Sequence, residues 1–100
     1  MKVLSILTVV CGLMTASFAY AAVDAEGAQA LVKKSDCMKC HAVDKTKVGP
    51  AFKDVAKKYA GKADAEATLV KQVTENPGHK HVDSKDPAEI KNAVQWILSQ

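Results

Sequence analysis

Two cysteines and a histidine lie within five residues, in the segment Cys37-Met38-Lys39-Cys40-His41. This spacing constrains the fold more than any other feature, because two thiols and an imidazole must meet on one short turn. The C-x-x-C-H pattern is typical of covalent attachment of a c-type haem, in which both thiols bond to the porphyrin and the adjacent imidazole binds the iron. The same pattern also occurs in zinc sites and in dithiol or disulfide centres.

The surroundings of the motif separate these three possibilities. A tetrahedral zinc site needs four ligands, and the fourth would have to come from His79 or His81. A thioredoxin-like dithiol would require a βαβ surround, and no run of alternating β-branched residues predicts a strand. A disulfide between Cys37 and Cys40 is the simplest alternative in an exported protein. We predict covalent attachment of one haem c through Cys37 and Cys40.

The N-terminal segment predicts export. Met1-Lys2 precedes an apolar stretch over residues 3–14, and Ala19-Tyr20-Ala21 supplies the small-residue pattern of a cleavage site. The apolar run is shorter than the roughly 20 residues of a membrane span. We therefore expect a cleaved signal peptide over residues 1–21, one domain over residues 22–100, a periplasmic location and no stable membrane association.

The composition of that domain favours a bound prosthetic group. Residues 22–100 are rich in alanine and poor in large apolar side chains, and so small a chain needs a staple to complete its core. A buried porphyrin would supply the missing apolar surface. The formal net charge of the full chain, +3, is carried by lysine without arginine and is too mild for a nucleic-acid binder. We expect a monomer.

Apolar periodicity predicts an all-α domain with short connections. Four helices are expected, over about residues 24–34, 51–60, 64–76 and from residue 86 onward. Asp64 is the expected N-cap of the third helix, and Pro77 ends it. The fourth has the clearest start, with Asp86 as N-cap, Pro87 in the first turn and Glu89 completing a capping box. All three histidines lie in the two intervening loops.

The chain resembles the class I cytochromes c over nearly all of residues 24–100, particularly the short bacterial type called c551 or c552. The resemblance rests on the segments 37–44, 48–56, 59–61 and 94–100. It implies about four helices wrapped around one covalent haem. His41 would be the proximal iron ligand, and its other ring nitrogen would donate a hydrogen bond to the carbonyl of Pro50. Phe52, Val55 and Trp96 would pack around the haem.

One departure from that family concerns the other face of the iron. The family's sixth ligand is a methionine in the loop before the last helix, but this chain has methionine only at positions 1, 14 and 38. The corresponding loop carries His79 and His81, and imidazole is a good haem ligand. We predict bis-histidine ligation with His81 ahead of His79, because Val82 could press the loop against the porphyrin. Ligation by Lys80 and an open or water-bound site remain alternatives.

A six-coordinate haem favours electron transfer over catalysis, because it leaves no site for a substrate. We therefore predict a periplasmic electron shuttle of lowered potential and no enzyme activity. The alternatives are a gas or ligand sensor with a dissociable distal ligand and a small peroxidase-like enzyme. Four lysines near the expected haem edge could steer an acidic redox partner. They are Lys39, Lys45, Lys47 and Lys80.

Overall fold

Four helices form the domain in the computed structural model, which describes residues 23–100. They are α1 (Ala25–Lys34), α2 (Phe52–Tyr59), α3 (Ala65–Thr74) and α4 (Pro87–Leu98). A single 3₁₀ turn, Cys37–Lys39, interrupts the loop between α1 and α2. No strand occurs within residues 23–100, so the predicted all-α fold is confirmed. The predicted signal peptide lies outside the described residues.

The helix ends follow the predicted chemistry in part. The Asp86 carboxylate accepts a hydrogen bond from the Ala88 amide at 2.9 Å, with Pro87 in the first turn. The Glu89 carboxylate, however, accepts from the Ser84 hydroxyl at 2.8 Å instead of closing the capping box. Asp64 is the N-cap of α3 as predicted, and its carbonyl accepts from the Thr68 amide at 2.9 Å, but its side chain makes no capping hydrogen bond.

Helix α4 contacts each of the other three helices and forms the centre of the domain. Its buried face, which includes Ile90 and Val94, packs mainly against α1, where Leu31 and Val32 are buried. Burial of such apolar surface contributes about 25 cal/mol per Å² to folding. At the start of α1, the backbone of Asp24 forms two hydrogen bonds with the Asn92 side chain, at 2.9 and 2.8 Å. The first and last helices are thereby joined.

Two long loops flank the α2–α3 pair in the sequence, one before α2 and one after α3. Gly61, at φ 74°, turns the chain after α2 in a left-handed conformation that glycine adopts without strain. The loops, over residues 35–51 and 75–86, hold every histidine and both cysteines of the domain. Within the part of the chain that the structure describes, no helix is long and apolar enough to cross a membrane.

Candidate haem site

The C-x-x-C-H segment folds as one tight turn. Asp36 has a left-handed backbone, at φ 58°, and starts the turn immediately before Cys37. The amides of Cys40 and His41 both donate to the Cys37 carbonyl, at 3.2 and 2.9 Å. Neither thiol is in a disulfide. Burial raises the pKa of the Cys37 thiol, whereas Cys40 is exposed. Two thiols and the imidazole are therefore held on one short segment.

His41 is oriented from two sides. Its Nδ1 lies 2.7 Å from the Pro50 carbonyl oxygen, the contact that the resemblance implies. With a proton on Nδ1 this is a hydrogen bond that leaves the lone pair of Nε2 free for a metal. Phe52, which is 3% exposed, stacks on the imidazole with ring centroids 5.3 Å apart. Trp96 meets Phe52 edge-on at 5.9 Å, so α4 supports this arrangement from behind.

Gly49 is a site residue that the motif analysis missed. A β-carbon at this position would lie 2.3 Å from Cε1 of His41 and within 2.8 Å of both ring nitrogens. The imidazole therefore rests on bare backbone, which only glycine provides. The Gly49 amide also donates to the Cys40 carbonyl at 2.7 Å and holds the loop against the turn. Its position directly before Pro50 was the available sequence signal.

The loop before α4 brings one histidine to face His41. The ring centroids of His41 and His79 are 6.1 Å apart, with 32° between the ring planes. Nδ1 of His79 lies 2.7 Å from the Lys80 carbonyl oxygen. His81 is exposed, and its Nε2 lies 2.8 Å from the carbonyl oxygen of Asn76. The structure therefore places His79, and not His81, across from His41.

The predicted docking lysines lie around the same turn. Lys80 and Lys39 both approach the Asp36 carboxylate, at 2.7 and 3.6 Å. The hydrogen bond from Lys80, with the added charge of Lys39, lowers the pKa of Asp36 below its usual range. Lys47 donates to the Met38 carbonyl at 2.9 Å. Lys45 forms no ion pair within residues 23–100.

These residues fit a covalent haem better than the other two chemistries. Two free thiols lie on the same turn as His41, whose imidazole stacks on buried Phe52 and has its centroid 6.1 Å from that of His79. Across residues 23–100, no group of three or more cysteine, histidine or acidic side chains is arranged to hold a bare metal ion. The helical surround also lacks the βαβ unit expected around a thioredoxin-like dithiol. The fold and this site together define a small c-type cytochrome.

Comparison with known proteins agrees with this class. The family model described as Cytochrome c matches residues 25–100. The chain is 39% identical over 84 residues to cytochrome c-551 of Pseudomonas aeruginosa, covering 76% of this chain and 79% of that protein. It is 43% identical over 77 residues to cytochrome c-552 of Hydrogenobacter thermophilus, covering 69% and 76% respectively. The crystal structure of the class 1 cytochrome MtoD from Sideroxydans lithotrophicus superposes with a TM-score of 0.73 at 48% identity, over 78% of this chain and 97% of that one.

The chain belongs to the cytochrome c family. The predicted class I resemblance is thereby confirmed, as are its all-helical fold and its single covalent haem c. Like its relatives, it is a monohaem electron-transfer protein and not an enzyme. Replacement of the axial methionine by histidine stays a prediction.

Proposed function

We propose that this chain is a soluble periplasmic electron shuttle in which His41 and His79 are the two axial ligands of the haem iron. The distance of 6.1 Å between their ring centroids carries the proposal. Imidazole nitrogens bind divalent metals such as zinc at about 2.0–2.1 Å. Two imidazoles on opposite sides of one ion therefore have centroids roughly 6 Å apart. The two rings are spaced as a shared metal requires.

The ring nitrogen that stays free favours His79 as the distal ligand, whereas the sequence pattern favoured His81. With Nδ1 protonated toward the Lys80 carbonyl, His79 keeps the lone pair of Nε2, as His41 does beside Pro50. His81 directs Nε2 to the Asn76 carbonyl and is exposed to solvent. The amide next to it, that of Val82, donates to the Val73 carbonyl at 2.9 Å. Turning the His81 side chain inward would break its contact with the Asn76 carbonyl.

Two imidazole ligands account for the chemistry of a shuttle. Haem c, when bound, carries the electron, and the axial ligands set its potential. A second imidazole in place of methionine lowers that potential. With haem bound, His41 and His79 would hold the iron and would leave no position for a substrate. Phe52 stacks on the His41 ring and is itself supported by Trp96, so the orientation of that ring is restricted.

The surface beside the attachment turn suits an acidic redox partner. Val48 is 85% exposed and Met38 is 40% exposed, an apolar area bordered by Lys39 and Lys47. Aromatic residues and methionine are enriched where proteins bind each other, and complementary charge accelerates encounter. Because exposed charges are screened beyond about 8 Å at physiological salt, the lysines should affect association rate more than affinity.

Paired alanine variants test the ligand assignment. His79→Ala should give a high-spin ferrous haem that binds CO rapidly, and added imidazole should restore the low-spin spectrum. His81→Ala is the matched control and should keep the spectrum of the unaltered protein. Loss of the low-spin spectrum in His81→Ala alone would make His81 the ligand. Rapid CO binding by the unaltered protein would contradict the six-coordinate shuttle itself.

The periplasmic location has a separate test. Fractionation of cells that express the full chain should place the haem protein in the periplasmic extract. Mass spectrometry of that protein should find the N-terminus at residue 22. An intact Met1 in a haem-loaded, cytoplasmic protein would refute the proposed export.

A further inference from the structure

The loop between α3 and α4 carries His79 and is tied to its own neighbours at both ends. At the start, the Asn76 side chain donates to Gln72 at 2.9 Å and accepts from the Gly78 amide at 2.9 Å. At the end, Ser84 donates to Glu89 at 2.8 Å. These contacts are local and would persist if the middle of the loop moved outward.

The Val82 amide ties the middle of the loop to the Val73 carbonyl of α3 at 2.9 Å, and three consecutive residues hold it from across the molecule. Lys34 approaches the Asp83 carboxylate at 3.9 Å, and Ser35 Oγ accepts from the Asp83 amide at 2.8 Å. Asp36 accepts from Lys80 Nζ at 2.7 Å. We call Lys34, Ser35 and Asp36 the loop anchor.

Ser35 makes the anchor more than a pair of surface charges. It is 2% exposed and is the one buried polar residue among residues 23–100. Its hydroxyl meets an amide 48 positions later in the chain. Opening the loop would leave the buried Ser35 hydroxyl without this donor, so the bond resists opening.

A short path connects the anchor to the histidine. Asp36 holds the side chain of Lys80, and the Lys80 carbonyl lies 2.7 Å from Nδ1 of His79. The anchor residues also run directly into Cys37, the first attachment position. Movement of the loop away from the anchor would therefore carry the His79 ring away from His41.

We infer that the loop anchor positions His79 and sets how often it leaves the iron, so that it determines whether a small ligand such as CO can bind. This inference rests on the proposed ligation by His79. Ser35 and Asp36 act here as positioning residues, because they touch the loop and not the haem ligand itself.

The rate of CO binding to the ferrous protein measures His79 dissociation directly. At saturating CO the observed rate becomes the rate at which the ligand leaves, which stopped-flow absorbance can follow. Ser35→Ala removes the acceptor of the Asp83 amide and should raise this rate about ten-fold, the effect of one intramolecular hydrogen bond. Amide hydrogen exchange at Asp83 should accelerate by a similar factor in the same variant.

Asp36→Asn tests the second contact without altering the backbone. Asparagine tolerates the left-handed conformation seen at this position, so only the charge is removed. At low ionic strength the CO-binding rate of Asp36→Asn should exceed that of the unaltered protein. In about 1 M salt, where the Debye length is roughly 3 Å, the variant and the unaltered protein should converge.

Asn92→Ala is the matched control, because it removes two hydrogen bonds at the far α1–α4 contact and leaves the loop intact. It should lower the unfolding free energy without raising the CO rate. An unchanged CO rate in Ser35→Ala, with a low-spin unaltered protein, would overturn the inference and leave the proposed function standing. An equal increase of the CO-binding rate in Asn92→Ala would also overturn the inference, since general destabilisation of the protein would then explain the faster CO binding. Immediate CO binding by the unaltered protein would overturn the proposed ligation, and the inference with it.

Discussion

Gly49→Ala should displace the proximal imidazole while leaving every polar group of the site in place. The added methyl group would lie 2.3 Å from Cε1 of His41, whereas ordinary contacts begin near 3.4 Å. The ring must therefore retreat by about 1 Å. Its Nδ1 is now 2.7 Å from the Pro50 carbonyl oxygen, and an N–H···O bond is lost beyond about 3.2 Å.

The magnitude follows from two contributions. Overpacking a well-filled site destabilises a protein by about 1–3 kcal/mol, and loss of the hydrogen bond adds about 0.5–1.5 kcal/mol. Gly49→Ala should therefore lower the unfolding free energy of the haem-loaded protein by about 1.5–4.5 kcal/mol. Loss of the contact to Pro50 should also change the electronic spectrum of the haem, because that contact tunes the imidazole.

Guanidinium unfolding of the haem-loaded protein, followed by absorbance, measures the first effect, and electron paramagnetic resonance of the ferric form detects the second. Gly78→Ala is the matched control, because its β-carbon would meet nothing closer than 3.5 Å. That variant should stay within about 0.5 kcal/mol of the unaltered protein. If Gly49→Ala unfolded at the same guanidinium concentration as Gly78→Ala and kept the original resonance spectrum, the close packing of His41 on Gly49 would be disproved.

Further predictions concern packing and charge. Phe52→Ala should cost about 3–5 kcal/mol in thermal or chemical unfolding, because Phe52 is 3% exposed and contacts both His41 and Trp96. Val48→Ala should stay within about 0.5 kcal/mol, since Val48 is 85% exposed; a larger loss would mean that it is buried in the haem-loaded protein. The lowered pKa of Asp36 means that its ionised form favours the folded state. The stability advantage over Asp36→Asn should therefore be present at neutral pH and disappear as the pH falls through that lowered pKa; an advantage that persisted in strong acid would contradict the ion pair.

Local sequence signals predicted the helices because their ends carry explicit chemistry. Pro87 and Asp86 start α4 as expected, and Pro77 follows the end of α3. The differences concern side chains that had a choice of partner. Glu89 binds the Ser84 hydroxyl instead of closing the capping box, and the Asp64 side chain makes no capping hydrogen bond although Asp64 is the N-cap. Such competition between nearby polar groups is decided by geometry that the sequence pattern does not encode.

The choice between His79 and His81 depends on contacts that a sequence pattern does not reveal. The prediction of His81 assumed that the apolar side chain of Val82 would set the loop, whereas in the structure the Val82 amide is bound to the Val73 carbonyl and His81 is exposed. The contacts that position the loop join Asp36 to Lys80 and Ser35 to Asp83, 44 and 48 residues apart. A single sequence gives no signal for pairs so distant, whereas the five-residue motif places its own groups by spacing alone.

The hydrogen bonds between Asp24 and Asn92 also bear on how the chain folds. They join residues 68 positions apart, so nearly the whole domain lies in the chain loop that the contact between α1 and α4 closes. For a flexible loop of that length, the length-dependent entropy of closure is about 4 kcal/mol. Folding speed falls as such distant contacts come to dominate a small domain. Strengthening the α1–α4 contact should stabilise the protein, but only a shorter connection between these helices would reduce the entropy of bringing them together.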